Sequence, residues 1–246
     1  MAADESRTDD PSKPPRLGFF RVAPAGAGIV PQGRRLGILS AAFNPITRAH
    51  VALARSASHH YQLHEALFVL PITQPHKLIH DAPIDARLRM MDLALQGNPT
   101  FSIGACTHGL FIDICRAAAA AYPPETRLWF ISGRDAAERI LTWPYPDPAK
   151  AISELFAQAE LLVADRQGAF VLPDIPAVRE HAGHVHHLPL PAEYSHVSAT
   201  DIRARLAKGD DVSELVPPPV LDYILEHHLY QEGQQEGEGT KGQVIG

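Results

Sequence analysis

A regular alternation of short apolar runs with helical patterns is the feature that most constrains the fold of this chain. Continuous apolar runs such as Leu67-Phe-Val-Leu70 and Leu161-Leu-Val-Ala164 carry no polar face, which is typical of strands covered on both sides in a parallel sheet. Parallel neighbours need right-handed crossovers, and helices usually supply them. The sequence therefore predicts an α/β fold, with a doubly wound parallel sheet and helices on both of its faces.

The bounds of the predicted elements follow from the same periodicity. Strand-like runs cover 36–42, 66–70, 101–105, 127–132, 160–165 and 185–188. Helical patterns cover about 49–62, 84–96, 110–122, 134–141, 148–158, 174–182, 199–208 and 217–228. This order predicts a Rossmann-like sheet followed by a C-terminal helical segment.

One domain is predicted between two flanking segments. Residues 1–34 are rich in Asp, Ser, Pro, Gly and Ala without clear periodicity, so we expect a flexible N-terminal arm, although Phe19 and Phe20 could dock on the core. Residues 35–230 hold the alternating pattern and form the predicted domain. The Gln/Glu/Gly-rich residues 231–246 are expected to form a disordered tail.

The stretch from Gly37 to His50 carries the first candidate for chemistry. An apolar run passes into an Asn-Pro turn and then into a helix start, where Thr47 and His50 lie three residues apart. A helix N-terminus presents unpaired N–H groups and a partial positive charge, so it suits a phosphate. The imidazole adds a donor for charge that develops on a phosphate during a reaction.

A second helix start offers the same kind of chemistry near the other end of the chain. The segment from His196 to Arg203 places Ser198 as an N-cap and Asp201 as its capping-box partner. Ser198 and Asp201 alone could have a purely structural role as helix caps. Ser198, Thr200 and Arg203 together, however, offer two hydroxyls and a guanidinium, which suit the terminal phosphates of a nucleoside triphosphate.

Composition excludes several classes of protein and partner. The net charge of −6 gives no electrostatic footprint for nucleic acid. No apolar run is long enough to suggest a membrane span, and the polar N-terminus lacks a secretion signal. The two cysteines provide no disulfide framework, so we expect a cytoplasmic protein. The sequence leaves the oligomeric state open, a homo-oligomer included.

Together these segments resemble the nicotinate (or nicotinamide) mononucleotide adenylyltransferases, a family within the nucleotidyltransferases that carry a His/Thr-x-x-His motif. The resemblance covers most of residues 36–230. The matching segments are Phe43 to His50, Val69 to Lys77, Phe130 to Asp135, Leu161 to Gly168, the Ser198–Arg203 motif and Val216 to Tyr230.

The resemblance implies transfer of AMP from ATP, with Mg²⁺, to a pyridine mononucleotide in NAD biosynthesis, with release of pyrophosphate. Catalysis would then fall to Thr47, His50 and Arg203. Further ATP contacts are implied for Ala42, Phe43, Asn44, Gly133, Asp135, Ser198 and Thr200. The acceptor contacts implied are Lys77, Trp143 and Arg166. No metal-ligating residue is implied, because Mg²⁺ would be held through the triphosphate.

Several residues depart from the family pattern and keep alternatives open. Ser40, Ala41 and Ala42 stand where the family has small, glycine-rich residues, and each added Cβ narrows the approach to phosphate. Thr47 stands at the first motif histidine, as in the phosphopantetheine-type branch of the superfamily. The alternatives are a related enzyme with another phosphorylated acceptor, such as phosphopantetheine, and a nucleotide-binding homologue with weak or no turnover.

Overall fold

The computed structural model describes residues 13–23, 34–73, 82–165 and 168–231. Within these ranges one sheet has the strand order β1-β4-β3-β2-β5-β6-β7. The strands are β1 (Leu17–Arg21), β2 (Arg35–Ser40), β3 (Glu65–Pro71), β4 (Phe101–Cys106), β5 (Arg127–Gly133), β6 (Ala159–Ala164) and β7 (Val185–Leu188). All neighbours are parallel except β1, which pairs antiparallel with β4.

Helices cover both faces of this sheet, as the sequence predicts. They are α1 (Arg48–His60), α2 (Ile84–Leu95), α3 (Phe111–Ala121), α4 (Arg134–Leu141), α5 (Pro148–Gln158), α6 (Pro176–Glu180), α7 (Ala199–Lys208) and α8 (Pro218–Glu226). None of the helices in the described ranges is long and apolar enough to cross a membrane. The Rossmann-like fold class with a C-terminal helical segment is confirmed.

Two hydrophobic layers sandwich the sheet because successive strand side chains point to opposite faces. In β3, Phe68 packs in the layer with α1, α2, α7 and α8, while Leu67 packs in the layer with α3, α4, α5 and α6. Every residue of β3 is buried. This burial on both faces explains why the central strands are continuous apolar runs rather than alternating ones.

Strand β1 corrects the prediction of a flexible arm over residues 1–34. Leu17 pairs with Cys106 and Arg21 with Ile103, so this part of the arm is an edge strand of the sheet. The Arg21 guanidinium lies 2.9 Å from the Asp92 carboxylate and anchors the strand to α2. Because β1 lies at the sheet edge and Phe19 is 42% exposed, its side chains are not sorted into a buried and an exposed face, and the sequence therefore shows no strand periodicity here.

The predicted tail over 231–246 lies outside the described residues from position 232 onward.

The strand order predicts a ligand crevice at the carboxyl edge of the sheet, between β2 and β5. Strands β3 and β4 lie on one side of β2, whereas β5, β6 and β7 lie on the other, so the direction of winding reverses at this point. Ser40 ends β2 and Gly133 ends the neighbouring β5. In open α/β sheets, ligands bind outside the carboxyl ends of the strands where this reversal occurs.

A buried polar network closes the opposite, amino-terminal edge. Glu65 at the start of β3 is 2% exposed and pairs with the buried Arg34. Its other carboxylate oxygen accepts hydrogen bonds from Ser102 at 2.5 Å and Tyr122 at 2.6 Å. Burial and the neighbouring carboxylate raise the pKa of Tyr122 above its usual value, so its hydroxyl stays protonated and donates to Glu65.

Removing the Glu65 carboxylate should destabilise the fold, because it leaves the Arg34 charge buried without its partner. We expect Glu65→Ala to lower the free energy of unfolding by about 3–5 kcal/mol in urea denaturation. The surface pair of Glu154 and Arg116 supplies the control, since Glu154→Ala should cost no more than about 1 kcal/mol. Equal losses in the two variants would contradict this assignment.

Candidate active site

The phosphate loop, which we define as residues 41–50, connects β2 to the first turn of α1. Phe43, Asn44 and Thr47 are all at most 3% exposed, although the loop borders the crevice. Phe43 adopts φ 44°, a left-handed conformation that is uncommon outside glycine. Its ring packs edge-on against the His50 ring, with centroids 5.1 Å apart. The loop is therefore anchored in the core at the residue before the Asn-Pro turn.

A reciprocal capping box fixes Thr47 and His50 at the start of α1. The Thr47 hydroxyl accepts from the His50 backbone N–H at 3.3 Å, and the Thr47 backbone N–H donates to His50 Nδ1 at 3.0 Å. Because Nδ1 acts as the acceptor, these bonds assign the proton of the neutral ring to Nε2. His50 therefore carries an N–H donor on the ring atom farthest from Thr47.

The expected capping box of α7 does not form. Ser198 is the N-cap residue, as predicted, but its side chain makes no capping hydrogen bond. Asp201 lies one turn before Arg205 and pairs with it at 3.3 Å instead. Thr200 is exposed in the first turn of α7. The hydroxyls of Ser198 and Thr200 are thus placed at a helix N-terminus without serving as caps.

Arg203 brings the two predicted motifs together. Its guanidinium donates a hydrogen bond of 2.8 Å to the backbone carbonyl of Asn44, which lies 159 residues earlier in the chain. Helix α7 therefore contacts the phosphate loop directly through Arg203. A cationic side chain is thereby held beside the loop that leads into the N-terminus of α1, which is an arrangement suited to a polyphosphate.

Three residues that the sequence did not single out also hold the phosphate loop. Arg87 is 4% exposed and donates to the carbonyl of Ala42 at 3.2 Å. The Arg48 guanidinium donates to the carbonyl of Val216 at 3.1 Å. Tyr230 donates to the Asn44 side chain. Arg87 could have been found, because an arginine among the apolar positions of a helix is unusual. Tyr230 ends the matching segment Val216 to Tyr230, but neither it nor Arg48 shows a local pattern that predicts this contact.

Gly133 and Asp135 lie on the β5 side of the crevice. Gly133 ends β5 and is the N-cap residue of α4. Asp135 follows in the first turn, is 67% exposed, and lies 3.4 Å from the Arg134 guanidinium. A carboxylate near the start of a helix can also serve as a cap, but α4 has no side-chain cap hydrogen bond at its N-cap residue Gly133.

Of the three acceptor residues that the resemblance implies, the structure describes only Trp143. Trp143 is half-buried in the segment that follows the far end of α4. Lys77 and Arg166 lie outside the described residues. These three assignments stay predictions.

Among the described residues, two histidines near β7 contact one carboxylate, and the Cys115 thiol is buried. Glu160 contacts His184 at 3.1 Å and His186 at 2.7 Å, and within the described ranges no group of three potential ligands could hold a metal ion. Burial raises the pKa of the Cys115 thiol to about 12, so the thiolate is absent near neutral pH.

A groove of about 800 Å³ runs along the outer face of α1 and shares Arg48 with the phosphate loop. Arg48, Arg55 and His59 line its helical wall, and Pro189 and Tyr194 lie on the opposite wall. His59 is nine residues from His50, which places the two side chains half a turn apart on the helix. His50 and His59 therefore face opposite sides of α1, and His59 is on the groove side.

Comparison with known proteins identifies the family. The family model described as "Cytidylyltransferase-like" matches residues 38–205, which include both phosphate motifs. The chain belongs to the cytidylyltransferase-like family. It is therefore grouped with nucleotidyltransferases, and the resemblance drawn from the motifs is confirmed.

Named relatives agree with this assignment. A probable nicotinate-nucleotide adenylyltransferase of Bordetella pertussis is 33% identical over 208 residues, covering 80% of this chain and 98% of the relative. One of Solibacter usitatus, with the same name, is 33% identical over 202 residues, covering 80% and 99%. The solved nicotinic acid mononucleotide adenylyltransferase of Plasmodium falciparum, complexed with NaAD, superposes with a TM-score of 0.63 at 18% identity, covering 80% and 97%. This last likeness supports the fold.

Arg203 should matter for the binding of a nucleoside triphosphate. Loss of a charge-assisted hydrogen bond costs about 1.5–3 kcal/mol, so we expect Arg203→Ala to weaken ATP binding about 10- to 100-fold in calorimetry. Arg205→Ala on the same helix removes an equal charge that is paired with Asp201, and it should change the affinity less than about twofold. Equal affinities for the two variants would remove Arg203 from the site.

Proposed function

We propose that this protein transfers the adenylyl group of ATP to nicotinate mononucleotide and releases pyrophosphate, a step of NAD biosynthesis. The observation that carries the proposal is the hydrogen bond from Arg203 to Asn44, which joins both phosphate motifs at the carboxyl edge. The names of the relatives supply the acceptor, since they describe nicotinate-nucleotide adenylyltransferases.

The reaction is a direct displacement at phosphorus. An oxygen of the acceptor's 5′-phosphate attacks the α-phosphorus of ATP, the bond to the pyrophosphate oxygen breaks, and pyrophosphate leaves in line with the attack. Such a transfer needs positioning and neutralisation of charge rather than a covalent enzyme intermediate. His50, with its proton on Nε2, donates to an α-phosphate oxygen as negative charge builds there.

Other residues hold the triphosphate and the nucleosides. Ser198, Thr200 and Arg203 take the β- and γ-phosphates at the N-terminus of α7. ATP enters as its Mg²⁺ complex, which suits a site whose described residues include no cluster of metal ligands. On the β5 side, Gly133 permits close backbone approach and the Asp135 carboxylate accepts hydroxyl protons of a ribose.

The acceptor is the part of the proposal that depends most on residues outside the described ranges. Lys77 and Arg166 bind its phosphate, and Trp143 stacks on its pyridine ring. Thr47, at the position of the first motif histidine, favours testing phosphopantetheine as a second acceptor. Ser40 and Ala41, which stand where the family pattern has glycines, favour testing for nucleotide binding without turnover.

An acceptor panel tests the proposal. The pure protein is incubated with ATP, Mg²⁺ and either nicotinate mononucleotide, nicotinamide mononucleotide or phosphopantetheine, and both pyrophosphate and the adenylylated product are measured. We expect the highest kcat/KM with nicotinate mononucleotide. Product from phosphopantetheine alone would reassign the acceptor, and calorimetric ATP binding without any product would contradict the enzymatic proposal.

The His50 side chain should contribute to turnover more than to folding. Loss of one transition-state donor lowers kcat about 100-fold or more, which is the expected result for His50→Ala. His59→Ala, on the opposite face of the same helix, is the matched control and should retain kcat within about twofold. If both variants kept wild-type kcat, His50 would have no part in the mechanism.

A further inference from the structure

We propose that Tyr230 is a positioning residue for the phosphate loop, holding it through a hydrogen bond from its phenolic hydroxyl to the side chain of Asn44. The two residues are 186 positions apart, and the donor–acceptor distance is 2.6 Å. The catalytic consequence of this contact rests on the function proposed above. The contact itself assigns a specific role to Tyr230, the last residue of the matching segment Val216 to Tyr230, to which the sequence assigned no role.

Asn44 is the point at which distant parts of the chain meet the loop. Its side-chain oxygen accepts from Tyr230 and, at 3.4 Å, from the backbone N–H of Ala82. Its backbone carbonyl accepts from Arg203. The residue is 3% exposed, so water does not replace a lost partner easily. The amide oxygen can only accept, which makes the Tyr230 hydroxyl the donor.

The backbone after α8 is shaped to deliver this tyrosine. His228 has φ 50° and Tyr230 has φ 65°, two left-handed residues that are not glycine. The N–H of Leu229 donates to the carbonyl of Ile224 at 3.0 Å, which turns the chain back at the helix end. Conformations of this kind are costly and persist where surrounding contacts hold them, often beside a functional site. The partly buried hydrogen bond from Tyr230 to Asn44 is one of the contacts that hold this backbone conformation.

The position of Asn44 determines where α1 begins. Thr47, the N-cap, follows three residues later, and its bonds to His50 set the orientation of the imidazole. If Asn44 loses its hydrogen bond to Tyr230, the N-terminus of α1 and the His50 side chain both become less precisely positioned. Donors that act on developing charge lose much of their effect when they are displaced slightly, so the loss falls on kcat more than on KM.

Tyr230→Phe is the decisive variant, because it keeps the ring and removes only the hydroxyl. Loss of one buried hydrogen bond between neutral groups corresponds to a fall in kcat of about five- to tenfold, and we expect the KM for ATP to stay within about twofold. Tyr223→Phe is the matched control. It makes the same chemical change on α8, where the Tyr223 ring stacks on His227 and lies outside the site, and it should leave kcat unchanged.

Hydrogen exchange distinguishes positioning from general stability. We expect faster exchange in peptides covering 41–50 of Tyr230→Phe, with unchanged exchange in the central strands and a melting temperature lowered by only about 2–6 °C. Unchanged kcat and exchange would overturn the proposal. So would a fall in melting temperature with wild-type kcat per folded molecule, since that result shows a purely structural contact.

The same experiments distinguish a failure of the Tyr230 positioning role from a failure of the proposed adenylyl transfer. If the wild-type protein makes no product with any acceptor, the proposed function fails, while exchange in residues 41–50 still decides whether Tyr230 holds the loop. If the wild-type protein is active and Tyr230→Phe matches it in both kcat and exchange, the function stands and the positioning role is wrong.

Discussion

The hydrogen bonds that converge on Asn44 are the constraint on which the geometry of the site depends. A buried amide in a loop must find partners inside the protein, because an unsatisfied polar group there is costly. Its partners come from α7, from Ala82 two residues before the start of α2 and from the end of the described chain. The phosphate loop therefore takes its position only when the C-terminal helices are docked on the sheet.

The sheet carries two polar anchors, one at each edge, and they serve different purposes. At the amino-terminal edge, Glu65 joins β3 to Arg34, Ser102 and Tyr122, and every one of these contacts is remote from the crevice. At the carboxyl edge, Asn44 and Arg203 join the motifs where ligands bind in this class of sheet. Stability and function thus use opposite ends of the same strands.

Most of the sheet could be predicted from the sequence, because its central strands are buried on both faces and read as continuous apolar runs. Strand β1 could not, since its Phe19 is partly exposed at a sheet edge and its neighbours lie in a Pro- and Gly-rich context. The capping box was expected at Ser198 and Asp201, where the familiar Ser-x-x-Asp spacing occurs. It forms instead at Thr47, because His50 Nδ1 can accept the backbone N–H that a carboxylate would otherwise take.

The candidate site was predictable wherever its residues lie in one local pattern, as Thr47 and His50 do. The contacts from Arg203 and Tyr230 to Asn44 depend on how distant helices dock on the sheet. Local sequence periodicity does not predict such docking. The ligand roles of these residues remain predictions.

A crystal structure with a non-hydrolysable ATP analogue tests the central claim most directly. The account predicts the α-phosphate within hydrogen-bond distance of His50 Nε2 and the first turn of α1, and the terminal phosphates against Arg203 and the N-terminus of α7. A triphosphate bound elsewhere, for example in the groove on the outer face of α1, would contradict it.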